Sequence, residues 1–544
     1  MAIAGITPTE IRDALLPTEA VILEPPVSSW PDSLFQLSDS TLAVLRQQAR
    51  KRLVDSAEQF VLRLSDVARR AGMLLESRPL LTGDPLERPI IMTGHQPVIF
   101  HSGLTFKYHA TEDFAARHNM IAVAVVIDTD EGDAGSFSIP ACDVSQQMPT
   151  NSEASLIPRL ISKSATLAQT PGLYSGSRLK PANALSGEFA TIENQLRGCR
   201  QYAAAAACRM VADEYVSLTE NSPLGCSTME ANLITRWNAG IGGRMLELPL
   251  SAICSFPEFI RFIAPILERP FEFAECYNKN LTSFRAEHRI RNEANPFPNL
   301  AVEHDWCELP FWVINHSAAT RHVLQVRRES DGLALECNRE RLLTLQPGHV
   351  AEAITALLFG GQQLVPRGAL ITATLRLLFS DLFIHGTGGG KYDPCTDGLI
   401  RSWWYVDPSP FAVASASRYL FADERTKLLS LQQIESQLRD MQYNPQRFLG
   451  TNVFSLTLEE KLTSLLNQKD AAVNQMKSAR ETGASAKDIG REIQRLTDEI
   501  KSSVSNEFEP RLAALRDLTE QNISAITNRT WPWFVFGEQI NDLR

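Results

Sequence analysis

The sequence predicts an α/β protein with a Rossmann-like parallel-sheet core, an inserted subdomain and a C-terminal α-helical coiled coil. Three observations carry that prediction. Two short apolar runs, "RPIIMTG" and "MIAVAVVIDTD", flank Phe106 to Arg117, a segment suited to a crossover helix. Strands that are apolar throughout belong to parallel sheets covered on both faces. A second strand, loop and helix pattern, "LFIHGTGGGKYD", recurs far along the chain. Beyond about residue 420, Gln, Lys, Glu, Arg, Leu and Ala dominate and aromatics thin out.

At 544 residues the chain exceeds one compact core, so two or three units are expected. Residues 1–140 read as an N-terminal helix plus the first half of the core. Residues 141–350 read as an insertion, and 351–419 as the second half of the core. Residues 420–530 form the coiled-coil arm, and 531–544 an aromatic strand returning to the body.

Taken in order, residues 40 to 80 form one helix, because Leu42, Leu45, Ala49, Leu53, Ala57, Val61 and Val67 recur at helical spacing among polar residues. The first core strand ends in Thr93, Gly94, His95 and Gln96. Ligands of open α/β sheets collect outside the carboxyl ends of strands, where helix N-termini offer free amides. The next strand runs into Asp128, Asp130, Glu131 and Asp133, a second polar cluster at the same edge. Within 141–350, "ELPFWVI" reads as a core strand. "GALITATLRLLFSDLFIHGTGGGKYD" then reads as helix, short strand, glycine loop and helix. Glycines 386, 388, 389 and 390 let backbone approach a ligand closely, and Lys391, Tyr392 and Asp393 follow. The spacing differs from that of a P-loop, which requires G-x-x-x-x-G-K-[ST]. In the arm, Leu458, Leu462, Leu465, Ala472, Met476 and Ala479, then Ile489, Ile493, Leu496 and Ile500, mark two antiparallel helices with a turn near Gly483.

Composition excludes several classes. The net charge is -10 with no Lys/Arg block, which argues against a nucleic-acid partner. "MAIAGITPTEIRDALL" lacks the pattern of a signal peptide, and "IAVAVVI" is too short to cross a bilayer, so a cytoplasmic protein without membrane contact is expected. Nine scattered cysteines without a C-x-x-C pair fit a reducing compartment and no metal site. The isolated "HDWC", His304 to Cys307, reads as packing.

The site read from these residues joins three loops. His95 or His385 serves as general base, since imidazole exchanges protons near neutrality. Lys107 and Lys391, with the glycine amides, hold a carboxylate or phosphate. Asp130 and its acidic neighbours bind an ammonium or a Mg2+ ion.

Thr93, Gly94 and Gln96 after the first strand, Lys107 and Tyr108 in the next helix, the acidic run Asp130, Glu131 and Asp133, and a helical arm over roughly 420 to 528 together resemble the bacterial bacillithiol-synthesis enzymes that add cysteine to a glucosaminyl-malate. His95 stands where that family has Gln, and "HGTGGGKYD" where it has a G-P-G-E type loop. "HSGL", His101 to Leu104, faintly resembles the H-x-G-H motif of nucleotidyltransferases. The resemblance implies a ligase or transferase forming a C–N bond between a small amino acid and a sugar-linked or other small acceptor. The arm's apolar seam, buried only against a partner or itself, leads to the expectation of a homodimer joined through the coiled coil, with ATP, ADP or Mg2+ as the candidate cofactors. The same sheet and glycine loop suit a nucleotide-dependent transferase of nucleotidyl or sugar groups, and the arm also suits a non-catalytic ligand-binding protein.

Overall fold

The computed structural model describes residues 20–73, 75, 87–142, 159–222, 226–330, 332–482, 485–516, 518 and 520–537. They fall into two compact units, one comprising 20–139, 163–418 and 529–537, the other 140–142, 159–162 and 419–528.

The first unit is mixed α/β, built on a six-stranded sheet. Its strands are β1 (Ala20–Glu24), β2 (Ile90–His95), β3 (Ile121–Val126), β4 (Leu246–Pro249), β10 (Leu382–His385) and β11 (Phe411–Ser417). The spatial order is β1-β11-β10-β2-β3-β4, with β1 antiparallel to β11 and every other pairing parallel. From β2 the chain steps outward through β3 to β4, then returns to the far side of β2 as β10 and β11. The carboxyl ends of β2 and β10 therefore flank the point where the strand order reverses.

Alternation along the strands covers both faces. Ile90 and Met92 enter one apolar cluster with Val123, Val125 and Phe383, while Ile91 enters another with Leu382, Ile384 and Ala412. Helix α1 (Ser40–Arg70) covers the first face with Ala49, Leu53, Val54 and Ala57, and helix α2 (Ser102–Arg117) covers the second with Phe114 and Ala115. Asp39 starts α1 by accepting the Leu42 amide at 2.7 Å. The helix stops ten residues earlier than its apolar spacing predicts. Gly72, at φ +78°, donates to Arg69 O while Met73 donates to Ala68 O, a Schellman cap that closes the last turn.

A five-stranded antiparallel sheet belongs to the same unit: β5 (Trp306–Asn315), β6 (Thr320–Glu329), β7 (Gly332–Cys337), β8 (Glu340–Leu345) and β9 (Gln362–Pro366), in the order β8-β7-β6-β5-β9. "ELPFWVI" lies in β5, with Leu309, Phe311 and Val313 buried. Helices α3 (Ala369–Leu378) and α4 (Thr387–Trp403) bracket β10 in the chain. Near the end, Pro532 makes a single bridge with His101 and a 3-10 turn follows over 533–537 in place of an extended strand. A proline has no amide to give a ladder.

The second unit holds α5 (Ala422–Tyr443), α6 (Leu456–Glu481), α7 (Lys487–Arg516) and α8 (Glu520–Thr527). Helices α6 and α7 run antiparallel. Ser455, just before α6, donates to Glu507 at 2.5 Å, while the Met476 methyl faces Gly490 at the other end. Leu458, Leu462, Leu465 and Ala472 are buried, as are Leu496, Ile500, Val504 and Phe508. Helix α5 adds Gln442, bonded to Ser505 at 2.9 Å, and Tyr443 beneath the Lys501 ammonium. The expected turn at Gly483 lies outside the described residues. Among the described residues no helix is long and apolar enough to cross a membrane.

Candidate functional site

A cleft of about 280 Å³ opens at the carboxyl ends of β2 and β10, lined by Gly94, His95 and Gln96 on one side and His385, Gly388 and Gly389 on the other. Its walls are completed by Asp130, Ile127, Phe297, Gly368, Tyr392 and Asp393, and by Ile371, Thr372 and Leu375 of α3. Mostly apolar walls with a few convergent polar groups are the usual make-up of a small-molecule pocket.

The β2 side is built by close backbone packing. A Cβ on Gly94 would come within 2.9 Å of the Val125 carbonyl, so a side chain here would separate β2 from β3. The Gly94 carbonyl accepts the Lys107 ammonium at 2.8 Å. Thr93 does not reach the cleft: its hydroxyl is buried and donates to Ile384 O at 2.8 Å, joining β2 to β10 across the switch point. His95 lines the cleft, with Nδ1 3.2 Å from the Gln96 carbonyl and its ring edge-on to Phe100. Burial, then the neighbouring Lys107 charge, pushes the His95 imidazole down to about 3. It is a neutral side chain at physiological pH.

The β10 side is a helix start without a side-chain cap. Gly386 is the N-cap residue of α4 and supplies no side-chain cap, Gly388 and Gly389 of the first turn line the cleft, and the first amides of a helix have no intrahelical acceptor. Two of the glycines are sterically required. A Cβ on Gly389 would lie 2.6 Å from His385 Nδ1, and one on Gly390 would lie 2.2 Å from a Val413 methyl. Cβ atoms on Gly386 and Gly388 would meet open space. Lys391 is exposed and does not line the cleft.

Asp393 lies behind His385. The His385 Nε2 lies 3.0 Å from Asp393 Oδ2, which receives Arg376 Nη1 at 2.6 Å, and Arg376 reaches Asp397 at 2.7 Å. Phe383 and Phe411 flank the ring. Burial alone would raise the Asp393 carboxyl, but His385 and Arg376 outweigh it and hold the group below the ordinary carboxylate range.

The acidic loop divides. Asp130 reaches the cleft, where Oδ2 accepts Gln96 Nε2 at 2.9 Å and Oδ1 accepts Arg321 Nη1 at 2.9 Å. Glu131 faces Arg321 at 3.4 Å. Asp128 is buried and spent on Ser251, accepting its amide at 3.0 Å and its hydroxyl at 2.5 Å, while Asp133 accepts the Gly135 amide in a local turn. Among the described residues no three His, Cys, Asp or Glu side chains gather as a metal-binding group. His101 caps α2, accepting the Gly103 amide at Nδ1, and burial pushes it down to about 4. The residues resembling H-x-G-H therefore start a helix.

Sequence reasoning missed α3 and Phe297 as walls and Arg376 as the partner of Asp393. The one signal was an arginine inside the otherwise apolar "ATLRLLF". Searches of protein-family models and of curated protein sequences with this chain give no match.

Proposed function

We propose that this chain is an enzyme joining an amine to a small acidic acceptor, a C–N bond-forming ligase or transferase of the bacillithiol cysteine-adding type, on a Rossmann-like core. The observation that carries the reading is the convergence of His385, backed by Asp393, with an uncapped glycine helix start in one cleft at the strand-order reversal. In this reading the amine nitrogen bonds to the acceptor's carboxyl carbon, His385 takes the proton the nitrogen loses, and the carboxyl C–O bond breaks, its oxygen leaving as water or, where ATP would have activated the carboxyl, as phosphate. Asp393 orients the ring and stabilises its protonated form, as a buried carboxylate behind a base does. The amides at Gly388 and Gly389 hold the acceptor's negative charge. Asp130, steered by Gln96 and Arg321, faces the incoming ammonium. His95 serves as a neutral hydrogen-bonding wall, because a group held near 3 is too weak a base for this step.

The helical arm would act as a coiled coil and homodimer contact in a cytoplasmic enzyme. A nucleotide-dependent transferase is the second reading, favoured by the same uncapped helix start, which suits a phosphate. Incubating the protein with cysteine and glucosaminyl-malate, with and without ATP, and following product mass tests the first reading. Condensation product from the wild type, falling at least about 100-fold in His385→Gln, supports it. Transfer from ATP or a UDP-sugar without any amine product would move the assignment to the second reading.

A further inference from the structure

The loop between the helix Pro270–Glu287 and β5 brings one side chain to the cleft. Arg291 to Asn295, Pro298 and Asn299 are exposed, while Phe297 is half-buried and lines the cleft wall.

The helix holds this loop at two points. Arg285, in its last turn, donates from Nε to the Asn295 carbonyl at 2.8 Å and from Nη1 to Asn299 Oδ1 at 2.6 Å, and its Nη2 serves the Glu293 and Phe297 carbonyls. A guanidinium is a rigid fork of five donors, so one side chain can fix several loop oxygens at once. Asn278, two turns earlier, accepts the Leu300 amide and donates to the Leu300 carbonyl, both at 2.8 Å. Arg285 itself does not line the cleft.

The Phe297 ring has a seat made of bare backbone. Gly368, at φ +58°, starts α3 and lines the cleft, and a Cβ there would lie 3.1 Å from Phe297 Cδ1 and 3.1 Å from the Tyr277 hydroxyl. Any other residue would be strained in its backbone and would push the ring away. Ile127 after β3, Ile371 of α3 and Phe383 of β10 line the same cleft. A flat aromatic face among apolar neighbours suits the face of another ring, since stacking favours ring on ring and tolerates many ring types.

We propose that Phe297 is a specificity-determining residue of the cleft: its ring packs on the face of a ring in the ligand, a purine or a pyranose, and Arg285 is the positioning residue that holds the loop presenting it. The inference rests on the reading of this cleft as the ligand site. Both residues act in binding, and the proton transfer stays with His385.

The test is calorimetric titration of the full chain with two ring-bearing probes, ADP and glucosaminyl-malate. At least one binds the wild type; ADP alone assigns a purine, and glucosaminyl-malate alone a pyranose. Phe297→Leu, which keeps apolar bulk but no flat face, weakens that probe at least about tenfold, while Phe297→Tyr, which keeps the face, retains it. Phe297→Met takes the place of Phe297→Leu should that variant fail to fold. Arg285→Gln weakens the same probe although it alters no cleft wall. Wild-type affinity in Phe297→Leu overturns the inference and leaves the cleft assignment and the proposed reaction standing. Equal loss in the Leu and Tyr variants gives Phe297 a structural role only and overturns it too, and unchanged affinity in Arg285→Gln removes the positioning role. Failure of both probes to bind the wild type removes the inference and the cleft assignment together.

Discussion

His385 Nε2 lies 3.0 Å from Asp393 Oδ2, and the same oxygen takes Arg376 Nη1 at 2.6 Å. One buried carboxylate oxygen thus bonds a guanidinium on the core side and lies at ion-pair distance from an imidazole on the cleft side, without hydrogen-bond geometry to its Nε2. Asp393→Asn keeps the shape and removes the charge, leaving Arg376 to Asp397 and the Ser409 carbonyl. Urea unfolding is expected to show a loss of about 3 kcal/mol, the usual result of breaking a buried pair. An unchanged midpoint would mean that Asp397 alone satisfies the arginine.

The glycines of α4 separate close packing from open space. Gly389→Ala puts a methyl 2.6 Å from His385 Nδ1 and is expected to displace the ring, cutting ligand affinity or rate by at least about tenfold, near 1.4 kcal/mol. Gly388→Ala meets no neighbour and is expected to fold at least as well as the wild type, with a gain of up to about 1 kcal/mol from the added helix propensity. Equal effects of the two substitutions would place His385 elsewhere.

Acid sensitivity follows from His95. Its folded value is about 3 against 6.5 for the free side chain, so between those limits the unfolded chain binds a proton that the folded chain does not. The neutral ring's contribution is complete above pH 6.5 and is lost as pH falls toward 3. Urea midpoints at pH 4.5 and 7.5 should differ less in His95→Gln than in the wild type. Parallel loss in both proteins would assign the acid sensitivity to other groups.

Asp381, just before β10, is a second point of stability. It accepts Arg46, Arg50 and the amides of Phe35 and Ile90, tying α1 to the sheet between β2 and β10. Asp381→Ala strands two buried guanidiniums, and a loss of about 3–5 kcal/mol is expected. A loss below about 1 kcal/mol, read by urea unfolding, would show that the backbone carbonyls around the arginines suffice.

Much of this arrangement was legible because it depends on local chemistry. Apolar strands ending in polar loops gave β2, β3 and β10, but glycines 388, 389 and 390, read as a loop, form the first turn of α4. The roles within those loops depend on register, which one sequence does not reveal. Thr93 and Gly94 are neighbours, yet one is spent on the Ile384 carbonyl and the other lines the cleft. Lys107 falls on the buried face of α2 and meets Gly94 from behind, while Asp128 turns to Ser251, more than a hundred residues away. The five-stranded sheet was legible but missed: Asp331-Gly332 and Asn338-Arg339 separate alternating runs in the sequence, while only "ELPFWVI" was taken up as a strand. Of the expected C-terminal strand, residues 533–537 form a 3-10 turn and 538–544 lie outside the described residues.

The cleft as the ligand site is the central claim, and filling it tests that claim most directly. Thr372→Trp places an indole from α3 into the cleft without altering either strand-end loop. Thermal unfolding of the wild type and this variant is measured with cysteine, glucosaminyl-malate, ATP and a UDP-sugar in turn. At 100 times its dissociation constant a ligand bound to the folded state stabilises by about 2.7 kcal/mol. The account predicts that at least one of these compounds raises the wild-type midpoint accordingly and leaves the Thr372→Trp midpoint unmoved. An equal rise in both proteins would place the binding site outside the cleft and contradict the account.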